Sequence, residues 1–191
     1  MTARVVWQNG GHMNLAAIPA FVGADSFHVV IEAPRGSQLK LKYEPQWEAM
    51  AVSRPLPLGV TFPFDWGFIP STEADDGDPL DAMVLWDVPS YPGVVLRCRA
   101  IGILQVEQNR KNHDPSERIR NDRIIAIPLE ARREQDLTAV AALPQRVRLE
   151  LEHFAITATA LEGKDVRIVG WGDANAALEL VKTAASRKHP A

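Results

Sequence analysis

The segment that most constrains this chain is a short acidic stretch, 75–81, with the sequence DDGDPLD. It places four carboxylates in seven residues, together with one glycine and one proline. Like charges at this spacing repel one another, and hard divalent cations such as magnesium are held by carboxylate oxygens. The segment therefore predicts a turn from which Asp76, Asp78 and Asp81 converge on a cation. The alternative is a solvated acidic turn, because Asp, Gly and Pro are ordinary turn residues.

The bulk properties bound the domain count and the class of partner. A length of 191 residues, 46% of them hydrophobic, suits one globular domain with a sizeable core. The 21 Lys and Arg against 24 Asp and Glu give a net charge of −3, and this mild acidity argues against nucleic-acid binding. No run of about eighteen apolar residues predicts a membrane span. We expect a cytoplasmic protein in which the single cysteine, Cys98, is a small core residue.

The order of predicted elements favours one fold class. We expect an N-terminal arm over 1–26, a domain over 27–186 and a tail over 187–191. Strands are predicted at 27–33, 39–43, 49–52, 82–85, 94–106, 123–127 and 165–171, with an irregular loop over 56–70. Helices are predicted at 144–161 and, with Asp173 as N-cap, at 174–186. Because short strands precede most of the helix, an α+β or small-barrel architecture is favoured over a doubly wound sheet.

Several charged residues stand where strands usually place apolar ones. Glu32 follows the apolar run 29–31, Lys42 and Glu44 share one strand face, and Arg54 follows the next strand. Each alone is an ordinary surface residue. Together with the acidic segment they indicate a pocket that contains both cations and anions. Such a pocket suits a phosphate substrate, because metals neutralise its charge and basic groups bind its oxygens.

These residues, in this order and spacing, resemble the family I soluble inorganic pyrophosphatases over about 27–185. The strongest match is DGDPLD at 76–81, which is similar to the family signature D-G-D-P-x-D; VVIEAP at 29–34 and FPFDWGFI at 62–69 match as well. The resemblance implies a five-stranded OB-like β-barrel with flanking helices. It also implies magnesium-dependent hydrolysis of inorganic pyrophosphate to two phosphates by metal-activated water, in a homo-oligomer.

The resemblance assigns the metal-binding and catalytic roles by position. Asp76 and Asp81 would ligate Mg²⁺, with Asp81 bridging two ions, and Glu32 would bind an outer ion. Asn121 stands where the family has a further metal-binding carboxylate. Asp78 would be the general base for the attacking water.

The resemblance also assigns the residues that contact substrate. Lys42 and Arg54 would bind phosphate, Arg54 in a bidentate manner, and Glu44 would position water or Lys42. Arg123 replaces a phosphate-binding lysine of the family. Trp66 replaces a tyrosine at the phosphate and lacks its hydroxyl.

Other departures from the family leave the substrate open. Gln108 stands where a metal-binding aspartate is expected, Phe62 replaces a tyrosine, and 157–158 (Thr-Ala) replaces a Tyr-Lys pair on the long helix. The loop 109–120 is longer than the bacterial pattern. A charge-assisted hydrogen bond is worth roughly 1.5–3 kcal/mol, so these losses weaken pyrophosphate binding and open room for a bulkier ligand. The alternatives are a divergent member acting on another phosphoanhydride or phosphoester, and a non-catalytic binding protein.

Overall fold

A computed structural model describes residues 14–109 and 117–188. The predictions for the arm, the 109–120 loop and the tail therefore fall partly outside the described residues. Within them the chain forms nine strands and two helices. In chain order they are β1 Phe27–Ala33, β2 Leu39–Glu44, β3 Ala49–Pro55, β4 Asp65–Phe68, β5 Asp81–Val84, β6 Val95–Asn109, β7 Arg118–Arg120, β8 Arg123–Pro128, α1 Gln145–Thr157, β9 Arg167–Gly172 and α2 Ala174–Lys188.

Five of the strands close into a ring. β1 pairs with β4, and β4 pairs with β5, in antiparallel fashion. β5 then pairs in parallel with β8, and β8 and β1 both pair antiparallel with β6, which completes the ring. The predicted α+β class, with a closed five-stranded β structure and flanking helices, is confirmed. β2 and β3 form a separate antiparallel hairpin.

The long strand β6 links the ring to its surroundings. Its first residues pair with β1, its middle with β8, and its end with β9 and β7. The register with β8 shifts between Ala100 and Gly102, and the register with β9 shifts between Gln105 and Val106. Such irregularities bend a strand. The bends allow β6 to pair with four other strands.

Strand β8 of the ring is buried on both faces. In β8, Ile125 and Ile127 join a core cluster that includes Leu151 of α1. The alternate residues, Ile124 and Ala126, join a second cluster against α2. Strands covered on both faces read as continuous apolar runs rather than alternating ones. Cys98 is fully buried, as expected, and burial raises the pKa of its thiol.

The prediction of an irregular loop over 56–70 is wrong in its second half, where β4 lies. All four residues of β4 are buried, so the alternation that marks a half-exposed strand is missing. Gly67 adds to the difficulty because glycine is rare in strand interiors. A Cβ at Gly67 would lie 2.0 Å from the Val30 carbonyl oxygen, so the close pairing of β4 with β1 requires this glycine.

The two helices differ from prediction only at their ends. α1 ends at Thr157, four residues before the predicted end. Just beyond this end, the Nη2 of Arg54 donates to the Ala158 carbonyl oxygen at 2.7 Å. α2 extends two residues further than predicted. Asp173 caps α2 as predicted, because its Oδ1 accepts the Ala176 N–H at 2.8 Å. In the part of the chain that the structure describes, neither helix is long and apolar enough to cross a bilayer.

Candidate functional site

One cavity of about 300 Å³ brings the predicted site residues together. Its walls come from the β2–β3 hairpin, the acidic turn, the end of α1 and the segment just before β9. All ten residues assigned from the sequence line this cavity: Glu32, Lys42, Glu44, Arg54, Trp66, Asp76, Asp78, Asp81, Asn121 and Arg123. Residues separated by up to 91 positions in the sequence therefore face one space.

The acidic turn is fixed by its own backbone. The Gly77 N–H donates to the Ala74 carbonyl at 3.0 Å, and the Ala74 N–H donates to the Asp78 carbonyl at 2.8 Å. Gly77 has a φ of 83°, a left-handed conformation that glycine adopts without strain. The Asp76 carboxylate accepts the Asp78 N–H at 3.2 Å. Asp81 then begins β5, so the turn and the ring hold the carboxylates in place.

Three carboxylates of the cavity repel one another. Burial and then the charge of Asp81 raise the pKa of Asp76. Burial raises the pKa of Glu32 to about 7, with a further contribution from Asp81, although the Tyr43 N–H, which donates to Glu32 at 2.8 Å, opposes the shift. Both shifts have burial as their largest cause, and both indicate that negative charge is disfavoured at these positions.

The donor chemistry of these residues fits a hard divalent cation, which prefers carboxylate and amide oxygens. Basic side chains already contact two of the carboxylates. Arg123 Nη1 lies 3.0 Å from Asp81 Oδ2, and Lys42 Nζ lies 2.9 Å from Asp78 Oδ1. Within residues 14–109 and 117–188, no three His, Cys, Asp or Glu side chains are already arranged as a coordination set. A metal ion would therefore have to compete with Arg123 for Asp81.

Lys42 and Asp78 form the more exposed pair. Their side chains are 49% and 62% exposed, respectively. Partial burial lowers the pKa of Lys42, but the hydrogen bond to Asp78 and its charge outweigh this effect and raise the pKa. Lys42 is therefore a permanent cation beside a carboxylate that water can reach.

Arg123 is a buried and well-held guanidinium. It is 7% exposed, and its Nη1 donates to the Asn121 backbone carbonyl at 2.6 Å and also to the Asn121 side-chain oxygen. Its Cζ lies 5.1 Å from the Trp66 ring centroid, within the range of a cation–π contact. Arg123 thus joins the predicted metal-binding residues Asp81 and Asn121 to the aromatic wall of the cavity.

Arg54 is engaged outside the polar part of the cavity. Besides its bond to the Ala158 carbonyl, its Nε lies 3.3 Å from Glu162 Oε1. The guanidinium satisfies a carbonyl at the C-terminal end of α1, where a positive charge is favourable. Arg54 therefore connects the hairpin to the helix end.

Two lysines of the cavity were not assigned from the sequence. Lys40 lies opposite Arg54 in the hairpin, and its strand alternation with Lys42 was the signal that could have found it. Lys164 lies just before β9, in a segment whose sequence is typical of an exposed loop. Burial lowers the pKa of Lys164, and the nearby charges of Lys40 and Arg123 lower it further. The cavity therefore contains more positive charge than the sequence indicated.

The helix positions predicted to face phosphate need a correction. Thr157 is exposed and does not line the cavity, whereas Ala158 does. The adjacent pair of α1 that faces the cavity is Phe154 and Ala155.

Other residues near the predicted site lie outside it. Gln108 is 3% exposed and does not line the cavity, and its Oε1 has no hydrogen-bond partner among the described residues. Asp122 accepts the Val106 N–H at 2.8 Å and pairs with Arg120, so its carboxylate is already bound. Neither residue supplies the carboxylate that is missing at Asn121.

Known proteins are similar to this chain in sequence. A family model described as inorganic pyrophosphatase matches residues 29–189. The inorganic pyrophosphatase of Thermus thermophilus is 39% identical over 178 residues, which is 91% of this chain and 97% of that protein. The inorganic pyrophosphatase of Synechocystis sp. is 36% identical, over 89% of this chain and 96% of that protein.

Solved structures of inorganic pyrophosphatases are similar to this chain in fold. The crystal structure of inorganic pyrophosphatase from Thermus thermophilus has a TM-score of 0.83 at 37% identity, covering 92% of this chain and 98% of that one. An inorganic pyrophosphatase structure from Coxiella burnetii has a TM-score of 0.80 at 32% identity, covering 89% and 99% of the two chains. The similarity therefore extends over nearly the whole length of each chain.

Proposed function

Because this chain belongs to the inorganic pyrophosphatase family, we propose that it hydrolyses inorganic pyrophosphate to two phosphates. The observation that carries this proposal is the meeting of Asp76, Asp78 and Asp81 with Lys42 in one cavity. Carboxylates supply sites for a divalent cation and a base for water, and the lysine supplies a cation for phosphoryl oxygens.

The exposure and charge of each residue indicate its role in the reaction. Asp78 is the general base, because its side chain is 62% exposed and water can reach it. It accepts the proton of a water molecule whose oxygen bonds to one phosphorus, while the bond from that phosphorus to the bridging oxygen breaks. Lys42, Lys164 and Arg123 stabilise the phosphate that leaves. Glu44 lies on the strand face of Lys42 and orients Lys42 or the water.

Mg²⁺ is the proposed cofactor, held by oxygens of Asp76, Asp81, Glu32 and Asn121. When bound, a divalent cation neutralises phosphate charge and makes water more acidic. The support lies in the raised pKa values of Asp76 and Glu32, which reflect carboxylates in need of positive charge. The neutral amide of Asn121 makes this donor set less negative than one with a carboxylate there.

The experiment that tests the function is phosphate release from pyrophosphate with Mg²⁺, comparing the wild type with Asp78→Asn. The amide keeps the shape of the carboxylate but cannot accept a proton, so we expect a loss of at least about 100-fold in kcat. Asp75→Asn is the matched control, because Asp75 lies in the same turn and pairs with Arg187 of α2 instead. Equal rates for wild type and Asp78→Asn would contradict the proposal.

A homo-oligomer is a further part of the proposal. Three large apolar side chains on or beside the β2–β3 hairpin are exposed, namely Trp47 at 70%, Val52 at 62% and Leu58 at 103%. We propose that these three side chains form part of a contiguous apolar patch that another subunit covers, since such patches mark protein–protein contacts. Light scattering after size exclusion should give a mass at least twice that of one chain, and a monomer at micromolar concentration would exclude the assembly.

We also place the protein in the cytoplasm. The support is that the chain has a single cysteine, Cys98, and therefore cannot form an internal disulfide. Fractionation of the source cells tests this location, and recovery with the membrane or secreted fraction would contradict it.

A further inference from the structure

The cavity has two halves of different chemistry. One half contains the aspartates of the acidic turn together with Lys42 and Lys164. The other half is apolar, and its lining residues are Leu56, Phe62, Trp66, Val106, Phe154 and Val166. Pyrophosphate is charged at both ends, so only the first half suits it.

Three aromatic rings form the centre of the apolar half, which we call the aromatic compartment: Phe62, Trp66 and Phe154. Their ring centroids lie 5.2 Å apart for Phe62–Phe154, 5.8 Å for Phe62–Trp66 and 6.4 Å for Trp66–Phe154. Each residue is at most 8% exposed. The rings therefore support one another as a fixed wall.

The aromatic compartment offers few hydrogen-bond donors to phosphoryl oxygens. Neither phenylalanine has a side-chain hydrogen-bond donor, and Ala155 of α1 and Ala158 just after it have only methyl side chains. Thr159 also lines the cavity, but its hydroxyl donates to the Ala155 carbonyl at 3.0 Å. The Trp66 Nε1 is buried without a partner among the described residues, so one donor remains unused in this wall. Burying a phosphate against such a surface would cost several kcal/mol of lost hydration, on the order of 2–7 per unpaired polar group.

The nearest cations are fixed at the border of the compartment. Arg54 is bound to the Ala158 carbonyl and Glu162, and Arg123 covers one face of Trp66 while it pairs with Asp81. Positive charge therefore ends where the aromatic rings begin. A cavity of about 300 Å³ lies at the lower end of pockets that bind organic ligands, roughly 300–1,000 Å³.

We propose that this cavity accepts organic diphosphates, in which the diphosphate occupies the polar half and a compact aryl or alkyl group occupies the aromatic compartment. This inference rests on the proposed function, because it uses the same attacking water. The water oxygen bonds to the terminal phosphorus, and the bond from that phosphorus to the bridging oxygen breaks. The water proton passes through Asp78 to the leaving phosphate monoester. The products are the organic monophosphate and inorganic phosphate.

The first test measures kcat/KM for pyrophosphate and for methyl, butyl and phenyl diphosphate in the presence of Mg²⁺. Each methylene buried in the compartment should improve kcat/KM by about fourfold, from the transfer free energy of a methylene group. We expect phenyl diphosphate to exceed methyl diphosphate by at least about tenfold. Values that are flat or fall from methyl to phenyl would overturn the inference.

A second test separates the inference from the proposed function, because it needs no turnover. Calorimetry measures how tightly the wild type binds methylenebisphosphonate and how tightly it binds the phenyl-substituted analogue. Tighter binding of the phenyl compound supports the aromatic compartment even if pyrophosphate is not hydrolysed. Equal or weaker binding overturns it even if pyrophosphate is hydrolysed rapidly.

The variant for both tests is Phe154→Tyr combined with Ala155→Lys, which introduces two donors at the compartment. We expect phenyl diphosphate to lose at least about tenfold in kcat/KM relative to pyrophosphate. The matched control is Thr157→Lys, which adds the same charge on α1 at an exposed position outside the cavity. If the control loses as much selectivity as the double variant, the compartment does not set specificity.

Discussion

The four aspartates of the acidic turn differ in what they contact. Asp75 pairs with Arg187, Asp78 with Lys42, and Asp81 with Arg123, while Asp76 accepts a backbone N–H within the turn. Four like residues therefore have four environments. The turn makes them neighbours in sequence, but for three of them the partner comes from another element and decides whether the carboxylate is available.

Arg123 is the residue whose removal should most change metal binding. It is ion-paired with Asp81, so a divalent cation must displace its guanidinium or tolerate its charge. Charges about 4 Å apart repel by several kcal/mol even near a protein surface. We therefore expect Arg123→Met to bind Mg²⁺ or Mn²⁺ at least about tenfold more tightly in calorimetry without substrate. Arg120→Met, at an arginine paired with Asp122 outside the cavity, is the control; unchanged affinity in both variants would refute this competition.

At the scale of elements, the site depends on how the β2–β3 hairpin is connected to the ring. The hairpin is a separate two-stranded sheet, which has little stability alone. Glu32 of β1 accepts the Tyr43 N–H, and Tyr43 stacks on Phe68 of β4 with ring centroids 6.1 Å apart. The bond from Arg54 to the end of α1 fixes the other side. These contacts hold the lysines of the hairpin over the cavity.

The contact between β1 and β4 should tolerate no side chain at Gly67. A Cβ there would overlap the Val30 carbonyl, so the strands would have to separate. We expect Gly67→Ala to lower the free energy of unfolding by about 2 kcal/mol or more in urea titrations. Gly163→Ala is the comparison, since its Cβ meets no neighbour and only its φ of 66° costs about 1 kcal/mol. A smaller loss for Gly67→Ala than for Gly163→Ala would show that the ring can relax there.

At the scale of the whole molecule, the metal couples the site to stability. A ligand that binds only the folded state at 100 times its dissociation constant adds about 2.7 kcal/mol. For a chain of this length that corresponds to a rise in Tm of roughly 5–10 °C. We expect saturating Mg²⁺ to raise the Tm above that in EDTA for the wild type and Asp75→Asn. Asp81→Asn should lose most of this shift, and an equal shift in all three proteins would place the metal elsewhere.

The sequence predicted the chemistry of the site better than its boundaries. The acidic turn, Glu32, Lys42 and Trp66 lie within short stretches whose residue order alone is distinctive, and all line the cavity. β4 was missed because its residues are buried on both faces and leave no alternation. The end of α1 was misplaced because Ala158 and the residues after it keep helical spacing, although the chain turns there.

The sequence by itself determined the family, the acidic turn and most of the charged residues of the cavity, because short stretches of adjacent residues identify them. Only the tertiary structure decided which of these side chains are already held by contacts with other parts of the chain. Arg54 is bound to a carbonyl 104 positions away, Arg123 lies over Trp66, and Lys164 enters the cavity from the far end of the chain. Such contacts depend on how the ring closes and where the helices pack, and no local pattern records that geometry.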